Sequence, residues 1–208
     1  MNLPNKLTCL RMLLVPVLVV IAYLPVEALD NTLGYIPIRY LVLLAIFCLA
    51  SITDYFDGKI ARKKNMITTF GKFLDPIADK LLVVASLLIL VEFRQIPAWV
   101  VIITEARELL VAASRMLQAK KGNVVAASWY GKVKTVSQMI AIIFAFLCVS
   151  PFFAFIYGPE AEMFKAGGMV QYVLNILMSI AMCVALVTAV FSGWDYIKAS
   201  KNEILESK

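Results

Sequence analysis

The sequence predicts an all-α integral membrane protein with six transmembrane helices, both termini cytoplasmic and a site at the cytoplasmic end of the bundle. Three observations carry that reading. Of the 208 residues, 62% are hydrophobic and only 16% charged, and the mean hydropathy is +0.84, well outside the averages of soluble domains. Apolar stretches recur that reach or approach the roughly 20 residues a helix needs to cross a hydrocarbon core. Lys/Arg-rich loops alternate with loops poor in them, as the positive-inside rule requires.

The first segment covers about residues 7–26 and carries Arg11, with Lys6 just before it. A cleaved signal peptide is the alternative, but "LPVEALDN" follows without an A-x-A-like site, so the segment reads as a retained span. The second, 36–53, contains Arg39; the third is 75–91; the fourth, 96–117, contains Glu105, Arg107 and Glu108. Charges at such positions must snorkel to an interface or face the bundle interior. The fifth covers 133–157, and the sixth, 169–197, has no charge from Met169 to Trp194. The loops around Lys59 to Lys72 and Lys120 to Lys134, and the tail with Lys198, Lys201 and Lys208, are basic. Those near Glu27 and Asp30, Glu92 and Arg94, and Glu160 to Lys165 are not. Both termini and both basic loops are therefore expected in the cytoplasm, which an even number of spans also demands. With no repeat or long linker, residues 1–208 read as one multi-pass domain in the cytoplasmic membrane.

The net charge of +6 lies beside the spans, which fits an anionic leaflet or anionic substrates better than nucleic acid. Cys9, Cys48, Cys148 and Cys183 are dispersed within apolar segments and read as packing residues. There is no histidine, so acid-base chemistry falls to carboxylates, Lys, Tyr or Cys.

One stretch departs from the apolar pattern: "SITDYFDGKIARKKNMITTFGKFLDPIADK", residues 51–80. If the second helix runs on past Thr53, Asp54 and Asp57 share a face to which Ala61 returns. Gly71, Asp75 and Asp79 advance by fours at the start of the third, where Pro76 is tolerated. Two helices joined by a short turn then aim four carboxylates at one another. Such a set repels itself at a membrane edge unless divalent cations neutralise it, and oxygen ligands suit Mg²⁺ or Mn²⁺. Gly58, Ala61 and Gly71 leave clearance for something large, and Arg62 offers a planar fork for a phosphate. Metal, carboxylates and phosphate donors together describe a pyrophosphate site. Lys63 and Lys64 read as solvated loop residues.

Asp54-x2-Asp57-Gly58-x2-Ala61-Arg62-x8-Gly71-x3-Asp75-x3-Asp79 resembles the signature of the CDP-alcohol phosphotransferase family at every fixed position. The resemblance implies a six-helix membrane enzyme, commonly a homodimer. It implies that Asp54, Asp57, Asp75 and Asp79 bind one or two Mg²⁺ or Mn²⁺ ions. It places Asp57, Gly58, Ala61, Arg62 and Gly71, with Asn5 and Thr8 near the start of the chain, against the CDP part of a CDP-linked lipid, and makes Asp79 the general base.

The acceptor lies outside that signature. "LPNKLTCLRMLLVPVLV", with Pro4, Asn5, Thr8 and Arg11, resembles the branch of the family that pairs CDP-diacylglycerol with glycerol 3-phosphate. So does the central region, in Arg107-Glu108, Arg115 and Ser128-Trp129-x-Gly131-Lys132-x-Lys134-Thr135-x2-Gln138. The residues themselves favour an anionic acceptor. Arg107 and Arg115 lie near one face of the fourth helix, and Lys132 and Lys134 open the fifth, so the four form a candidate acceptor-phosphate site. Trp129 and Tyr130 read as interfacial anchors. Inositol phosphate, serine or phosphatidylglycerol as acceptor, an intramembrane prenyl transferase and a divalent cation carrier are the competing readings. A prenyl transferase has no use for the Gly/Ala/Arg pattern, and a carrier would place its carboxylates near the middle of spans.

Overall fold

The computed structural model describes the backbone of residues 3–63, 69–120 and 129–205 and, within these, the side chains of residues 7–54, 74, 77–116, 118 and 129–198. The chain is mostly helical. In order come α1 (Leu3–Tyr23), the single turn α2 (Glu27–Asp30), a hairpin of two-residue strands β1 (Thr32–Leu33) and β2 (Ile36–Pro37), then α3 (Ile38–Lys63), α4 (Thr69–Glu92), α5 (Ala98–Lys120), α6 (Trp129–Leu147) and α7 (Gly168–Leu205). The six long helices take the places of the six apolar segments. In the hairpin Leu33 pairs with Ile36, and Gly34 supplies the left-handed residue of the turn at φ +69°.

Helical periodicity sets which residues meet. On α1, Thr8, Arg11, Val15, Leu18 and Ala22 are buried, a stripe at spacings of three and four that begins polar and ends apolar. It packs against α3 and α4. Leu43, Phe47 and Ala50 of α3 and Leu82 and Leu90 of α4 meet it in one core, continued by Ile142 and Phe146 of α6 and Met178 and Met182 of α7. The opposite faces are apolar too: Leu13 is 64% exposed, Ile102 66% and Leu109 69%. So large an apolar surface is costly in water and free of cost in lipid. By length and apolarity alone, two helices among the described residues qualify as membrane spans, Trp129–Leu147 and Gly168–Lys198, with Leu7–Tyr23 a shorter apolar helix. Most of the charges that make the site lie on the other helices.

Those charges are accommodated individually. Arg39 is buried and caps α1, its Nη1 donating to the carbonyls of Ile21 (2.8 Å), Ala22 (3.2 Å) and Leu24 (2.8 Å), while Nε and Nη2 donate to Asp30 Oδ1 at 3.0 and 2.8 Å. One guanidinium thus satisfies carbonyls that a helix end leaves open. At the end of α4, Arg94 takes the left-handed position (φ 57°). Gln95 N–H donates to Leu90 O and Arg94 N–H to Val91 O, a Schellman closure followed by Pro97.

Of the helix boundaries that differ from those the sequence predicts, two bear on the packing and the site. The fifth segment was expected to run to residue 157, yet α6 stops at Leu147. Pro151 has no N–H for Leu147 O, and its ring would clash there. That carbonyl instead accepts from Gln171 Nε2 at 3.0 Å. α7, which the sequence presents as nonspecific apolar helix, carries a polar stripe that repairs the break: Val149 N–H donates to Gln171 Oε1, Phe153 N–H to Ser179 Oγ and Phe155 N–H to Asn175 Oδ1. Asn175 Nδ2 donates to Pro151 O at 2.8 Å. Irregular backbone in a membrane setting survives only when protein groups satisfy it in this way. The other difference is at α4, which begins at Thr69, so Pro76 lies inside the helix rather than at its start.

Candidate active site

α1 lies against both aspartate-bearing helices, so the polar end of its buried stripe meets them. Arg11 is fully buried. Its Nη1 forms ion pairs with Asp54 Oδ1 of α3, at 3.0 Å, and with Asp79 Oδ1 of α4. Two carboxylate oxygens from different helices therefore converge on a single point of positive charge. Both aspartate side chains stay about half exposed (45% and 46%), while the arginine that joins them has left solvent entirely. Desolvating a guanidinium is offset only by pairing, and Arg11 has two acidic partners among the described residues.

A cavity of about 270 Å³ opens beside this pair, lined by Arg11, Ser51, Asp54, Asp79, Lys80, Glu105, Glu108, Lys134, Thr135 and Gln138 together with apolar residues. Gln138 is 2% exposed, and its Nε2 is buried without a hydrogen-bond partner among the described residues. An amide donor left so in a polar cavity costs about 1–3 kcal/mol, a cost that a polar ligand would remove. A second cavity, about 420 Å³, is lined by Arg107, Glu108, Arg115, Gly131, Lys132 and Thr135 with two valines. Glu108 and Thr135 border both.

Glu108 organises the boundary. Its Oε1 accepts from Arg107 Nη1 at 2.8 Å and from Lys134 Nζ at 2.9 Å, and its Oε2 lies 3.9 Å from Lys80 Nζ. Arg107 and Lys134 are buried, so one carboxylate neutralises two cations that packing has withdrawn from solvent. Arg107 Nη2 also donates to Ser192 Oγ of α7, and Arg115 Nη2 to Tyr196 Oη of α7 at 3.0 Å.

The sequence-predicted residues fall out as follows. Asp54 and Asp79 come together. Arg107, Arg115 and Lys132 line one cavity, whereas Lys134, two residues on from Lys132 and on the other side of α6, lines the aspartate cavity. Thr8 is buried on the α1 stripe, one turn from Arg11. The side chains of Asn5, Asp57, Gly58, Ala61, Arg62, Gly71 and Asp75 lie outside the described residues. Their backbones place Asp57, Gly58, Ala61 and Arg62 on the same helix as Asp54, and Gly71 and Asp75 on the same helix as Asp79. Lys63 and Lys64 lie outside the described side chains as well. Among the described residues no three His, Cys, Asp or Glu side chains gather as a metal site, and only two of the four predicted carboxylates are among them. The oxygen-only chemistry of Asp54 and Asp79, converging on one charge, suits a hard divalent cation. The described cysteines are free thiols.

Reading the sequence missed three things: Arg11 as the partner of both aspartates, Glu108 as the acidic hub, and Ser192 and Tyr196 as supports for the arginines. Arg11 carried a signal, since it falls on the buried stripe of α1. Ser192 and Tyr196 carried a weaker one, polar groups four apart at the end of an apolar helix.

A family model for CDP-alcohol phosphatidyltransferase matches residues 1–194. A Bacillus subtilis protein named CDP-diacylglycerol–glycerol-3-phosphate 3-phosphatidyltransferase is 41% identical over 203 residues, covering 97% of this chain and 95% of that one. A Haemophilus influenzae protein of the same name is 31% identical over 216 residues, covering 99% and 97%. An Escherichia coli K12 protein, again of that name, is 40% identical over 148 residues, covering 68% and 74%.

Proposed function

This chain belongs to the CDP-alcohol phosphatidyltransferase family, and from that premise we propose that it transfers a phosphatidyl group from CDP-diacylglycerol to sn-glycerol 3-phosphate, yielding phosphatidylglycerophosphate and CMP. The observation that carries this reading is the adjacency of two unlike cavities. One is carboxylate-lined at Asp54 and Asp79, the other is lined by Arg107, Arg115 and Lys132, and Glu108 and Thr135 border both. A dianionic acceptor has a reason to dock in the second with its hydroxyl toward the first. An alcohol without an anionic group, such as choline, would leave those cations without an anion to bind.

In the reaction the acceptor's hydroxyl oxygen bonds to the β-phosphorus of the donor as the bridging P–O bond breaks. CMP departs with the bridging oxygen. Asp79 receives the hydroxyl proton, and Arg107, Arg115 and Lys132 hold the acceptor's phosphate, while Lys134, which the sequence grouped with them, borders the aspartate cavity and is paired with Glu108. Asp57, Gly58, Ala61, Arg62 and Gly71, with Asn5 and Thr8, bind the CDP part. Arg11 fixes the relative position of Asp54 and Asp79, and hence of α3 and α4. Asp54, Asp57, Asp75 and Asp79 would hold one or two Mg²⁺ or Mn²⁺ ions, whose charge would neutralise the pyrophosphate and the leaving cytidylate. Positioning and charge neutralisation account for most of the rate, since phosphoryl-type transfer asks little covalent help of a protein.

The test is direct. Purified protein given CDP-diacylglycerol and a panel of alcohols should form phosphatidylglycerophosphate from glycerol 3-phosphate alone. Neutralising Arg107 or Lys132 should raise the Michaelis constant for glycerol 3-phosphate by about one to two orders of magnitude, the worth of a hydrogen bond to a charged group, with little change for CDP-diacylglycerol. Product from serine or inositol phosphate instead would overturn the acceptor assignment.

The family is membrane-bound, and we read residues 1–208 as a single multi-pass domain of the cytoplasmic membrane. Its six long helices all span, with both termini and the site on the cytoplasmic side. The length of the helices and their apolar outer faces support this, as does the loop charge pattern. Single cysteines at positions 63 and 121 should label from the cytoplasmic side, and those at 30 and 160 from the opposite side. Labelling of 63 and 160 from one side would refute the six-span arrangement.

A further inference from the structure

Arg107 and Arg115 lie eight residues apart on α5, and each is held by a residue of α7. Arg107 Nη2 donates to Ser192 Oγ. Arg115 Nη2 donates to Tyr196 Oη at 3.0 Å, and the guanidinium carbon lies 5.6 Å from the centre of the same ring. Ser192 and Tyr196 are four apart, one above the other on a helix face, so this face of α7 presents its two hydroxyls to α5. Both are buried, at 0% and 3% exposure. Gly193 adjoins them, and a Cβ there would sit 3.6 Å from Arg107 Cγ, so α7 packs closely along the arginine's stem.

We propose that Ser192 and Tyr196 are positioning residues for the acceptor's phosphate: they fix the two guanidinium groups that line the acceptor cavity, and so set the affinity for a phosphorylated acceptor. The inference rests on the assignment of that cavity to glycerol 3-phosphate. An arginine side chain has considerable rotamer freedom to lose on binding an anion, and a group already held in place loses less. The two arginines differ in how much help they need. Arg107 is buried and already tied to Glu108; Arg115 is exposed, and Tyr196 holds it by both hydroxyl and ring face. Tyr196 therefore carries the larger effect. The same arrangement gives the C-terminal part of α7 a role in the site.

Steady-state kinetics on the purified full-length protein test this. Tyr196→Phe keeps the ring and removes the hydroxyl, and should raise the Michaelis constant for glycerol 3-phosphate about threefold to tenfold, without a matching rise for CDP-diacylglycerol and without a lower melting temperature. Tyr196→Leu removes the ring as well and should raise it further. Ser192→Ala should give a smaller rise in the same constant. In Arg115→Gln, adding Tyr196→Phe should change little, because the group it positions is gone. Equal effects on both substrates, a fully additive double variant, or an unchanged constant in Tyr196→Phe while Arg115→Gln raises it would overturn the inference. If Arg107→Gln and Arg115→Gln themselves leave that constant unchanged, the acceptor assignment fails first and separately.

Discussion

Asp54→Ala should reduce turnover by at least about two to three orders of magnitude, the scale on which loss of one transition-state charge partner acts, and leave the protein folded in detergent. The loss follows from the proposed role: Asp54 is one of four carboxylates that converge to bind a divalent cation, and the pyrophosphate's charge is then poorly neutralised. Survival of the fold follows from the geometry. Asp54 is 45% exposed, and Arg11 keeps Asp79 after the substitution, so the buried guanidinium is not stranded and the penalty for an uncompensated internal charge does not arise. Asp57→Ala and Asp75→Ala should behave alike. Rates at saturating Mg²⁺ beside melting curves decide the matter: a variant with near-normal turnover removes its residue from the site.

The carboxylate pattern was legible in the sequence because it depends on one helix at a time. Asp54 and Asp57, three apart, share a face of any helix that contains them, and the same holds for Asp75 and Asp79, four apart, so local geometry alone aligned them. What joins the two faces was not legible. Which third helix covers Asp54 and Asp79 depends on packing order, and the chain places α1, separated from α4 by the whole of α3, against both. Arg11 could be read as a charge that must face the interior, but its partners could not be chosen among Asp54, Asp79, Glu105 and Glu108 without that order. The same reason hid Ser192 and Tyr196, whose partners lie more than eighty residues earlier.

Among the boundaries, the end of α6 could have been drawn from Pro151 and its demand on Leu147 O. Hydropathy overrode it, since residues 148–157 remain apolar while their backbone turns. The polar stripe Gln171, Asn175 and Ser179 on α7 is the complementary signal: polar groups at a spacing of four in a stretch without charge need internal partners, and here those partners are the irregular backbone of 147–155. Arg39 shows the reverse case. Its charge was anticipated as a cost, and the structure turns it into a cap for α1.

Asp79→Asn should lower turnover by about two to four orders of magnitude, the contribution of general base catalysis, while CDP-diacylglycerol still binds. Asparagine keeps the size of the side chain and an oxygen that can accept from Arg11 Nη1, so α1, α3 and α4 should stay in register, and Arg11 retains Asp54 as its anionic partner. What asparagine cannot do is receive the proton of the attacking hydroxyl. The loss should therefore appear in kcat, with the Michaelis constant for glycerol 3-phosphate little changed, opposite to the pattern expected for Arg107 and Lys132. Single-turnover rates with bound CDP-diacylglycerol separate the two directly. Asp79→Asn sparing turnover, or Lys132→Ala weakening only the nucleotide donor, would mean that the carboxylate cavity and the basic cavity have their roles exchanged.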